Sequence, residues 1–179
     1  MAPIRDFGRP ENDEGEWVPF GEDAPFRLRI RRIPYEIGRQ IDLRYGREIV
    51  VQGGDGIRRP QLERSRDEWL QAMLDKAAFA LVDSEGLEVE VADAEARGFY
   101  AAAFKDDSIT VGATVVLDGH LRNDAVKKRL FTTLRPFARV KSEEEPGKIV
   151  SVDIGSFIMS EADRIGRSSA QKREVDLKK

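Results

Sequence analysis

The chain reads as an α+β protein, with an N-terminal β-hairpin and short strands packed with about four to five helices and a helix-rich C-terminal half. Three patterns point that way. From Phe26 to Ile33 apolar and basic residues alternate, so Phe26, Leu28 and Ile30 face one way while Arg27, Arg29 and Arg31 face the other. Leu62, Trp69, Leu70, Met73, Leu74, Ala77 and Leu81 recur at helical spacing. The other apolar or β-branched runs, Ile49-Val50-Val51, Leu87 to Val91 and Ile109 to Leu117, are short and bounded by turn residues, as short strands are.

With 179 residues, one domain is expected, spanning 16–166. Residues 1–15 form an acidic lead-in expected to be flexible, and 167–179 a basic tail, also expected to be flexible. Trp17 and Phe20 begin the ordered part, and Gly21-Glu22-Asp23 turns the chain into the basic strand. Pro34 ends that strand and can open a helix carrying Tyr35, Ile37, Ile41 and Leu43. Ile49-Val50-Val51 is a strand or a buried extension. Gly53, Gly54 and Gly56 then make a loop, and a subdomain boundary would fall near 53–60.

The long helix ends at Asp83-Ser84-Glu85-Gly86, and Leu87, Val89 and Val91 alternate with Glu88 and Glu90 in a half-exposed strand. Ala94 to Phe104 is read as helix on its alanines, although Phe99, Tyr100 and Phe104 would suit a strand. Ile109 to Leu117 is β-branched and reads as strand. A further helix carries Val126, Leu130, Leu134, Phe137 and Ala138, capped by Asn123 or Asp124 and ended near Arg135 by Pro136. Ser142 to Lys148 is a polar linker. Ile154, Phe157, Ile158, Ala162 and Ile165 share one face of a last helix, with Gly166 as its stop.

Composition narrows the chemistry. There is no cysteine and one histidine, so disulfides, thiolate metal sites and Cys-His dyads are excluded. His120 with Asp118 and Asp124 lacks the ligand number of a convincing metal site, and a cap and turn are the plainer reading. Gly53-Gly54-Asp55-Gly56 has no following Lys-Ser/Thr and carries an acid, which argues against phosphate binding. No enzyme activity and no cofactor are expected. The formal net charge of -3 disfavours nucleic acid as a partner, and no apolar run is long enough to enter a membrane. What remains is a contact surface on the first hairpin: Trp17, Phe20, Phe26, Arg27, Arg29, Arg31 and Arg32, facing a protein partner.

The aromatic and acidic opening and the basic strand ending in Arg31-Arg32-Ile33-Pro34 ahead of a helix resemble the tail assembly chaperones of long-tailed, non-contractile (siphovirus-type) bacteriophages. Asp83-Ser84-Glu85-Gly86 is similar to a midway acidic turn of that family, with Ser84 in place of the aromatic. Phe157-Ile158-Met159-Ser160-Glu161-Ala162 followed by Lys178-Lys179 is similar to its closing helix and charged end. The resemblance implies a non-enzymatic protein in the host cytoplasm that keeps the tape-measure protein soluble until the tail tube polymerises. Tail-tube protein is a second partner it brings into view, and self-association stays open. It also implies a frameshift-extended form, with lysine codons at Lys178-Lys179 as slippery sequence. The rivals are a structural virion protein of the neck or tail, such as a tail terminator or minor tail protein, and more distantly a small nucleic-acid-binding protein.

Overall fold

The alternation around Phe26 does produce a hairpin. In a computed structural model, which describes residues 14–142 and 144–177, β1 (Glu16–Pro19) pairs antiparallel with β2 (Arg27–Ile30), Trp17 lying opposite Arg29 and Val18 opposite Leu28. The strand is shorter than the expected 26–33, because a register irregularity at Arg29/Ile30 turns the chain out of the sheet. Helix α1 (Tyr35–Arg44) follows, with Pro34 at its N-cap. Next, β3 (Arg47–Gln52) and β4 (Arg58–Glu63) form a separate antiparallel ribbon. Helix α2 (Arg66–Ala80) leads into β5 (Leu81–Glu85), which pairs with β2 to complete a sheet ordered β1-β2-β5.

Strand β6 (Glu88–Glu90), helix α3 (Ala94–Phe104) and β7 (Thr114–Val116) come next, β6 pairing with β7. Helix α4 (Asp124–Arg129) widens into a π-helical turn at Leu130–Leu134. Strands β8 (Phe137–Lys141) and β9 (Ile149–Asp153) form a last hairpin, and α5 (Ile154–Leu177) closes the described chain. The architecture is thus α+β, a mix of helices and small antiparallel sheets with a helical C-terminal region, as the sequence predicts.

The core lies where α2 and α5 cover the inner face of the three-stranded sheet. Leu28, Ile30 and Leu81 from the strands meet Ala77 and Ala80 of α2 and Ile158, Ala162 and Ile165 of α5, all of them buried. Small alanines on α2 let the helix sit close to the sheet, and each fully buried Leu or Ile contributes roughly 1.5–3 kcal/mol. A capping box starts α2, with Ser65 accepting from the Glu68 N–H and the Glu68 carboxylate accepting from the Ser65 N–H. The S-x-x-E spacing of that box stands in the sequence at Ser65 and Glu68.

Several expectations are corrected. Trp69 stands on the solvent side of α2, 47% exposed, and Leu62 belongs to β4 and Leu81 to β5, so the long stripe spans three elements. The glycines at 53–56 form the turn of the β3–β4 ribbon, and Pro60 lies inside β4. Ile49-Val50-Val51 is a strand, yet an exposed one. Asp83-Ser84-Glu85 is strand, and of 109–117 only 114–116 is. Phe137 and Ala138 sit in β8 after Pro136 has ended the helix. The linker at 142–148 connects the β8–β9 hairpin. Gly166 does not stop α5, which runs on to Leu177, because it does not take the left-handed conformation by which a glycine ends a helix. Residues 167–177 are therefore helical in backbone, while residues 1–13 of the acidic lead-in and Lys178-Lys179 lie outside the described residues.

Candidate interaction surface

The seven residues expected to form one contact surface are divided by the fold among three settings. Trp17, Arg27 and Arg29 share the outer face of the β1–β2 hairpin, and the guanidinium carbons of both arginines stand 5.8 Å from the Trp17 ring centre. Arg29 pairs with Glu14 at 3.0 Å and Arg27 with Glu85 on the neighbouring strand. Trp17 is 41% exposed. This patch is an aromatic ring held between two cations whose charge is already answered by carboxylates.

Phe20 points the other way. It is buried, stacks on Phe26 with ring centres 4.8 Å apart, and meets Phe157 of α5 edge-on at 5.1 Å. It is a core residue and not a partner anchor; Phe26 is half-buried beside it. Arg31 and Arg32 also leave the strip, because the irregularity after Arg29 rotates them towards the helices. The Arg31 guanidinium lies 3.9 Å from the Phe79 ring centre, and its Nε donates to the Phe79 carbonyl at 2.8 Å. Arg31 therefore caps the C-terminal end of α2, where carbonyls lack helical partners. Arg32 packs near Gly166 of α5, and its buried Nε has no hydrogen-bond partner among the described residues.

A second cation completes the same cap. Lys127 Nζ donates to the carbonyls of Ala78 and Leu81, both at 2.8 Å. Burial pushes its ammonium below the ordinary lysine pKa, nearby Arg31 adds to that, and Asp124 opposes it. Around these cations α1, α2, α4 and the π-helical turn enclose a groove of about 690 Å³. Ile37, Ile41, Leu74 and Phe131 give it an apolar lining; Arg44 and Lys128 stand on its rim together with Asp75 and Asp124, Arg44 pairing with Asp75 at 3.2 Å. None of this was anticipated from the sequence. The readable signals were Lys127-Lys128-Arg129 ending a short helix and the Ile37/Ile41 pair one turn apart.

The remaining suspects are used structurally. Asp118 accepts from Ser84 Oγ at 3.1 Å, Gly86 N–H at 2.7 Å and Leu87 N–H at 3.2 Å, while Asp83 accepts from Gly119 N–H at 2.8 Å. This reciprocal lock joins the β5–β6 turn to the end of β7, and it needs the small hydroxyl of Ser84, which is buried. His120 stacks on Phe104 at 3.8 Å. Among the described residues no three His, Cys, Asp or Glu gather as metal ligands. Asp55 turns its carboxylate into the glycine loop, accepting from the Ile57 N–H at 3.1 Å and from Arg59 at 2.7 Å, which leaves no place for an anion. Among the described residues no helix is long and apolar enough to cross a membrane.

No protein-family model matches the chain. Neither a curated protein nor a solved structure matches it either. The surface offers two faces for contact, the Trp17 patch and the groove over the α2 C-terminus, and they are chemically different: one an exposed aromatic between paired arginines, the other apolar inside a rim of mixed charge.

Proposed function

We propose that the protein is a non-enzymatic tail assembly chaperone of a long-tailed, non-contractile bacteriophage, which binds the tape-measure protein in the host cytoplasm and keeps it soluble until the tail tube polymerises. The observation that carries this reading is the groove. Its lining of Ile37, Ile41, Leu74 and Phe131 suits the apolar face of an amphipathic helix, the recognition mode in which a helix lays its apolar side into a hydrophobic groove, and the mixed charges of its rim suit polar flanks of both signs. Arg31-Arg32-Ile33-Pro34, on which the resemblance rests, runs directly into the helix that forms one wall of that groove.

Co-expression with a tape-measure protein from the same genome tests it. Soluble tape-measure protein should rise severalfold, and Gln40→Trp, which fills the groove from its exposed rim, should remove the gain. Trp17→Ala should leave it in place. No gain with the unaltered chain overturns the reading, and loss with Trp17→Ala alone moves the contact to the hairpin face.

The exposed β3–β4 ribbon favours a second reading, a structural protein of the neck or tail that uses the ribbon in permanent assembly. Mass spectrometry of purified particles separates the two. A chaperone is absent from mature virions, and a structural part is present at fixed copy number.

A further inference from the structure

The two edges of the β3–β4 ribbon are unequal. At its turn the Gly53 N–H donates to the Ile57 carbonyl. Antiparallel alternation then assigns the inward hydrogen bonds of β3 to Arg47, Ile49 and Val51 and turns the N–H and C=O groups of Glu48, Val50 and Gln52 outward. Their opposites on β4 are Leu62, Pro60 and Arg58. Pro60 has no N–H, so the middle of the β4 edge lacks a donor, a common means of blocking strand addition. The β3 edge carries no such block. Glu48, Val50 and Gln52 are all exposed, and among the described residues none of them makes a further backbone hydrogen bond.

We propose that β3 pairs antiparallel with β3 of a second copy of this chain, about a twofold axis at Val50, giving a four-stranded sheet whose outer edges both carry Pro60. The sequence of the strand selects this occupant. Outward groups can bond only outward groups, and the register centred on Val50 sets Val50 against Val50, Ile49 against Val51, Glu48 against Gln52 and Arg47 against Gly53. Every apolar residue meets an apolar one, and no like charges face each other. Moving the centre to Ile49 would set Glu48 against Val50 and Arg47 against Val51; moving it to Val51 would set Ile49 against Gly53. Glu48 enters the pairing already balanced by Arg39, 3.1 Å away. A lone two-stranded ribbon is marginal in water, and doubling it supplies the missing strands. The proposal is independent of any tail-assembly role.

The full chain, measured by sedimentation equilibrium over a range of concentrations, should pass from monomer to twice the monomer mass. Val50→Pro removes an outward N–H and no bond to β4, so it should weaken the dimer by about tenfold or more with the far-ultraviolet circular dichroism unchanged. Because the chain has no cysteine, Val50→Cys places one thiol on the axis, where facing Cα atoms about 5.5 Å apart lie within disulfide reach. It should form a disulfide dimer about ten times faster or more than Ile57→Cys, which is 55% exposed at the turn, if proximity drives the reaction. A monomer at every concentration, equal crosslinking at the two positions, or a dimer indifferent to Val50→Pro would each overturn the proposal.

Discussion

The β1-β2-β5 sheet and the β3–β4 ribbon grow from similar sequence and meet opposite surroundings. Both hold short runs of β-branched and basic residues joined by a glycine-containing turn. In the sheet, Leu28 and Ile30 are fully buried beneath α2 and α5; in the ribbon, Val50 is 68% exposed and Val51 39%. The contrast teaches that alternation makes a strand but does not bury it. Burial requires a helix to arrive from elsewhere in the chain, and α5 comes from its far end.

The sharpest way to break the comparison is a matched pair of truncations read by urea unfolding at concentrations low enough to keep the chain monomeric. Leu28→Ala should cost about 2–5 kcal/mol, because it leaves a cavity in a packed core. Val50→Ala should stay within about 0.5 kcal/mol. Equal losses would mean that the ribbon is packed in solution.

The two turns extend the contrast at a smaller scale. Gly21 has φ of +91°, and a Cβ there would stand 2.6 Å from the Arg139 carbonyl oxygen of β8. Gly56 has φ of +75° with nothing within 4 Å. Gly21→Ala should cost about 2–4 kcal/mol, adding overpacking to left-handed strain, and Gly56→Ala about 1 kcal/mol from strain alone. Thermal unfolding of the two variants checks the ranking. A reversed order would show that the ribbon turn is the constrained one.

The smallest effect concerns the root of the ribbon. Asp42 of α1 accepts from Arg64, just beyond β4, and from Lys76 of α2, both at 2.6 Å. Burial pushes its carboxyl up, and the hydrogen bonds from Lys76 and Arg64 more than reverse this, so it titrates below its ordinary value of 3.8. Such a group contributes fully above 3.8 and loses that contribution as pH falls through the lower native value. Asp42→Asn should therefore cost about 1 kcal/mol at neutral pH and flatten the acid limb of the stability curve. An unchanged acid limb would place the ribbon's anchorage elsewhere.

Local signals were legible where one segment contained the whole cause. Helix α3 spans the residues expected of it, since its alanines and the Asp93 cap need no distant help. Asn123 caps α4 as expected, accepting from the Ala125 N–H. The reading failed where the cause lay across the fold. Trp69 fits an apolar stripe by spacing, yet α5 packs on the alanine side of α2 and leaves it outside. Arg31 and Arg32 continue the basic alternation in sequence, but the irregularity at Arg29/Ile30 removes them from the strip.

What the chain determined by itself is its inventory: helices where propensity and caps agree, strands where alternation is bounded by turns, and the absence of cysteine chemistry. Those follow from interactions within a few residues. Only the tertiary structure decided that Phe20 belongs to the core, that Arg31 and Lys127 close the end of α2, and that Val50 faces water. Each of those outcomes depends on which distant element covers which face, and periodicity within one segment carries no record of its neighbours.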